Sequence, residues 1–142
     1  LIINEIVSRN KDGIRDEDGD KSDWIELLNR GTTPLALSSL QLVLGDAKWK
    51  FPAHSTLEAG GYLLVFASAK DRSVAGREMH TNFTLPSELS HLELQKVSKQ
   101  AGEAPTTLAA IPLPQLEQNQ AFGVVGSGQI TSFNGPGAAP SV

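Results

Sequence analysis

The chain has 142 residues, 39% of them hydrophobic, which fits one compact domain at the usual ~100–200 residues per domain. It contains no cysteine, so a disulfide framework, a thiolate metal site and a cysteine nucleophile are all excluded. Residues 16–26 hold six carboxylates and one lysine, a local charge of −5 within a net charge of −4; the remaining bases are scattered among acids and make no basic face for phosphate, so nucleic acid is not an expected partner.

The chain opens on Leu1-Ile2-Ile3 without Met, with no charged leader before it, and we expect a module of a longer protein. Ile2 to Val7 reads as the first strand, followed by a polar, glycine-containing loop from Ser8 to Ser22. In Asp23 to Asn29, Ile25 and Leu27 fall on one face and Trp24, Glu26 and Leu28 on the other. Leu35 to Leu37, Leu40 to Leu44 and Lys48 to Phe51 are further strands, the last ended by Pro52, which cannot donate to a ladder. Gly60-Gly61 sets a tight turn into Tyr62 to Ala67, a run apolar on both faces and therefore a central strand. A long loop is expected from Ser68 to Glu88, then strands at His91 to Val97, Thr107 to Ile111, Ala121 to Val125 and Ile130 to Phe133. Ser87 to Leu94 could open as a helical turn, but the alternation from His91 onward favours a strand.

Short strands at this spacing, separated by Gly/Pro turns, predict an all-β antiparallel sandwich over residues 1–134, with 135–142 as a C-terminal linker. Ile6, Ile25, Leu27, Trp49, Leu63, Val65 and Leu92 are expected to share its core. No apolar run approaches the ~20 residues that span a bilayer, so membrane insertion is not expected. A monomer is.

An ordered series of short motifs carries a resemblance. Ile3-Asn-Glu-Ile6 is followed by Asp16-Glu-Asp-Gly-Asp20, Asp23-Trp-Ile-Glu-Leu27, Trp49-Lys-Phe-Pro52, Ala59-Gly-Gly-Tyr62, Val65-Phe-Ala-Ser68 and His80-Thr-Asn-Phe83. This succession resembles the bacterial lamin-tail domain from about Ile2 to Leu94. The resemblance implies an immunoglobulin-like β-sandwich and a non-catalytic module of a larger secreted or surface-attached bacterial protein. It places the module outside the cell or on its surface; the expected partner is an unidentified protein or glycan.

The residues offer little for catalysis. His54, His80 and His91 are not at zinc-ligand spacing, and no G-x-S-x-G elbow is present. The acidic loop is the one chemically pointed feature. Asp16, Asp18 and Asp20 at alternate positions, with Asp23 or Glu26 completing an oxygen shell, suit Ca²⁺, although Gly19 and Leu27 break the EF-hand spacing. The plainer reading, which weighs more, is that these Asp and Gly residues make the turns that feed the next strand. Trp24 is a candidate ligand contact by stacking on a sugar ring, set against core packing, the reading that weighs more. His80 is a second candidate contact or loop anchor, set against a side chain that holds the loop through a backbone carbonyl. Lys70, Arg72 and Arg77, interrupted by acids, read as a solvated loop. A calcium-dependent carbohydrate-binding module is therefore the alternative to a non-catalytic interaction or spacer module, and a hydrolase role is a minority reading.

Overall fold

Alternation of apolar residues along short strands leaves each sheet with a face to bury, and two such sheets close on each other here. The computed structural model describes residues 1–8, 10–11, 13–86, 90–113, 121–125 and 129–133. Among them are twelve strands and no helix: Ile2–Val7 (β1), Asp23–Leu28 (β2), Leu35–Ala36 (β3), Leu40–Leu44 (β4), Ala47–Lys50 (β5), Thr56–Leu57 (β6), Tyr62–Ala67 (β7), Met79–His80 (β8), Ser90–Lys96 (β9), Thr106–Leu113 (β10), Ala121–Val125 (β11) and Gln129–Phe133 (β12). The expected linker at 135–142 lies outside the described residues.

One sheet runs β12-β11-β1-β2-β7-β8 and the other β10-β9-β4-β5, with β3 and β6 forming a separate two-stranded ribbon. All pairings are antiparallel except β7 with β8. The core lies between the sheets. Ile6, Ile25, Leu27 and Val65 from the first sheet meet Leu42, Trp49, Leu92 and Leu94 from the second, and Leu63 packs at the margin of the same cluster. The expected core is thus present in full. Trp49 and Phe51 meet edge-on with ring centroids 5.0 Å apart, an arrangement suited to the quadrupoles of the two rings.

Two strands escape the sequence reading. β6 and β8 have two residues each, too short for a period of two to register. β8 lies inside the expected long loop and has the larger effect on the polar site, because it brings His80 alongside Phe66 of β7. The Gly60-Gly61 turn is as expected. Gly60 takes φ +72°, and a Cβ on Gly61 would stand 2.9 Å from the Glu58 carbonyl oxygen.

At β1, β2 and β7 the outer face of the first sheet is also covered. Trp24 stands opposite Val7 on one side and Phe66 on the other, and these three form a second apolar cluster capped by Ile14 and Leu64. Ile14 comes from the loop between β1 and β2, so that loop folds back across the sheet. Asn10 fixes its course: its amide donates to the carbonyls of Ile14 and Ser22 at 2.9 Å each, and its Oδ1 accepts the Gly13 N–H at 2.9 Å.

Candidate functional site

The chemistry sits where the β1–β2 loop meets the segment after β7. Asp16 and Gly19 start the geometry. The Asp16 N–H donates to the Asp20 carbonyl at 2.8 Å, the Gly19 N–H donates to the Asp16 carbonyl at 2.9 Å, and Gly19 turns the chain at φ +83°. The Asp16 side chain is fully buried inside the turn it organises. Its Oδ1 accepts the N–H groups of Asp18 and Asp20 at 3.0 Å each, while Oδ2 accepts the Ser22 hydroxyl at 2.8 Å and Lys70 Nζ at 2.7 Å.

Lys70 is the centre of the cluster. Its ammonium donates to Asp16 Oδ2, to Asp18 Oδ2 at 2.9 Å and to Asp20 Oδ2 at 2.8 Å, which uses all three of its protons. Arg72 extends the pairing, with Nη1 at 2.9 Å from Glu17 Oε1 and Nη2 at 2.7 Å from Asp18 Oδ2. Burial alone would raise the Asp16 carboxyl. Hydrogen bonds from Lys70, Ser22 and the backbone of Asp20 and Asp18 outweigh it and hold the group well below the usual carboxylate range. Desolvation likewise works against the Lys70 ammonium, and the acceptors Asp16, Asp20 and Asp18 more than offset it, so its pKa rises. Hydrogen bonds from Arg72 and then Lys70 lower the exposed Asp18 carboxyl.

The three aspartates singled out in the sequence do converge, and their oxygens lie close enough to share one cation. The positive group they surround is a lysine 50–54 residues away in sequence. Asp23 stands outside that group and opens β2, where its Oδ1 accepts the Asn10 N–H at 3.4 Å. Glu26 is buried in β2 and accepts the Asn4 side-chain amide at 2.8 Å.

Trp24 must be corrected as a ligand contact. It is 0% exposed, sealed by Val7, Phe66 and Ile14, and presents no ring face to a sugar. An alternating strand implies a solvent face, whereas here the preceding loop covers it. His54 and His91 are both exposed.

His80 is a loop anchor, though through a hydroxyl and not a backbone carbonyl. Its ring is fully buried, stacks on Phe66 at 5.3 Å, and places Nδ1 2.8 Å from Ser68 Oγ. Burial lowers its pKa, so the neutral imidazole is favoured. The backbone of His80 exchanges two hydrogen bonds of 2.9 Å with Arg72, which fixes the basic segment beside β8. Sequence reasoning misses Lys70, Arg72, Ser68 and Glu78 as site residues. The available signal is charge complementarity: the bases at 70–77 face the chain's densest acidic stretch.

A family model described as Lamin Tail Domain matches residues 1–111. The chain belongs to the lamin tail domain family. No curated protein and no solved structure matches it. The lamin tail domain is an immunoglobulin-like fold, in agreement with the two facing sheets. The match spans β1 to most of β10 and so includes the whole ion-pair cluster.

Proposed function

We propose that this lamin tail domain is a non-catalytic interaction or spacer module of a larger secreted or surface-attached bacterial protein, with a protein or glycan partner. The observation that carries the reading is the family match over residues 1–111, in a family of immunoglobulin-like modules that are typically not enzymes. The arrangement of the polar groups supports it. The acids best placed to act as poised catalysts are engaged by Lys70 and Arg72, and Ser68 Oγ, beside His80, already accepts the Lys70 N–H at 3.2 Å. In this reading Lys70 is the counter-ion of the acidic loop, the role that the loop's composition alone leaves open to calcium. Large apolar residues exposed among the described ones, Tyr62, Val74 and Leu108, are few, which supports a monomer.

Excision of the module from its parent protein tests the proposal. Any catalytic activity elsewhere in the parent should keep its kcat/KM, while retention at the cell surface or on a partner falls. Loss of turnover on excision, restored by adding the isolated 142-residue chain, would overturn it.

A further inference from the structure

Next to the lysine-filled cluster lies a second one whose central nitrogen makes no hydrogen bond. His80 Nε2 is buried and makes no hydrogen bond, an unusual state for a ring nitrogen in a protein interior. It points between two carboxylates, with Glu17 Oε1 and Glu78 Oε1 each 3.8 Å away, too far for a hydrogen bond. We propose that His80 Nε2, Glu17 and Glu78 form a binding site for a divalent transition cation of the Zn²⁺ class.

The spacing suits such an ion. Two donors 3.8 Å apart can both stand about 2.0–2.2 Å from a common centre, the usual length of Zn–N and Zn–O bonds. The three donor atoms lie within 4.8 Å of one another. One imidazole with two carboxylates favours Zn²⁺ or its first-row neighbours over Ca²⁺ and Mg²⁺, which prefer oxygen alone.

The surroundings supply what metal ligands need beyond their own atoms. Ser68 Oγ engages Nδ1 at 2.8 Å; when Nδ1–H donates to it, the Nε2 lone pair is left for a metal. Arg72 Nη1 holds Glu17 Oε1, and the Glu17 N–H holds Glu78 Oε1 at 2.6 Å, so both carboxylates are oriented in advance. The charge balance points the same way. Among the described residues, Lys70, Arg72 and Arg77 pair with Asp16, Glu17, Asp18 and Asp20, and Glu78 lies beside His80, so these five carboxylates outnumber the three cations by two, a charge that a dication would neutralise. Glu17 and Glu78 also line an open cleft of about 680 Å³, through which an ion could enter.

The test is calorimetric titration of the chelator-treated 142-residue chain with Zn²⁺, with imidazole ¹⁵N NMR on the same samples. One ion should bind per chain, with the His80 Nε2 resonance shifting and those of His54 and His91 unmoved. Glu78→Gln and Glu17→Gln, both at part-exposed side chains, should fold and bind Zn²⁺ about 10–100-fold more weakly, while Asp20→Asn, which removes a charge but no ligand, weakens binding less than either. Absence of saturable uptake would overturn the proposal. So would uptake that moves His54 or His91 in place of His80, survives both glutamine variants, or is matched by Ca²⁺ or Mg²⁺.

Discussion

Replacing Asp16 with asparagine isolates the charge at the heart of the acidic loop while keeping the side chain's shape. The amide oxygen of the asparagine would still accept the N–H groups of Asp18 and Asp20. Its amide nitrogen, however, would turn a donor toward Ser22 Oγ and Lys70 Nζ, which stand 2.8 and 2.7 Å from the present oxygen. Ser22 can rotate its hydroxyl to accept; the ammonium cannot. The loss is therefore one charge-assisted hydrogen bond at a fully buried oxygen, about 1.5–3 kcal/mol. Asp20→Asn is the matched control. Its side chain is 65% exposed and its pair with Lys70 is screened by water, so it should cost about 0–1 kcal/mol. Urea unfolding followed by tryptophan fluorescence reads both, because Trp24 and Trp49 are buried and unfolding exposes them. Added salt should erase the Asp20 effect and leave most of the Asp16 effect. Equal costs for the two variants would refute the reasoning.

Acid should weaken the fold through the same groups. Asp16 and Asp18 both have lowered folded pKa values, so their contribution is complete above the unfolded value of 3.8 and is lost as pH falls through the folded ones. Urea titrations between about pH 6 and pH 2 should show a steeper acid loss for the parent than for Asp16→Asn. Leu27→Ala, at a fully buried position of β2, should cost about 2–5 kcal/mol by equilibrium unfolding. Millimolar Ca²⁺ should leave the melting midpoint of the parent unmoved, because Lys70 already stands among the three aspartates, and a rise of several degrees would restore calcium to that role.

The fold is legible where side chains alternate over five or more residues. β2 and β4 announce themselves because Ile25, Leu27, Leu40 and Leu42 recur at every second position, and β7 does so as a short run apolar on both faces. β6 and β8 do not, since two residues carry no period. The site is legible by half. Asp16, Asp18 and Asp20 stand out as local density, and their convergence follows from a short turn. Lys70 and Arg72 lie 50 or more residues downstream and reach them only because β8 and the Arg72–His80 bridge fold that segment back beside the β1–β2 loop. Trp24 takes the core-packing reading, and its sugar-contact alternative fails. Its strand predicts an outer face, and only the return of Ile14 across that face removes it from solvent.

The pairing of Asp16 with Lys70 is tested most directly by a double-mutant cycle of Asp16→Asn, Lys70→Met and the double variant in urea unfolding. The expected coupling is about 1–3 kcal/mol, in the range for groups in direct contact within one network. Additivity of the two single effects within about 0.3 kcal/mol would contradict Lys70 as the counter-ion of the acidic loop.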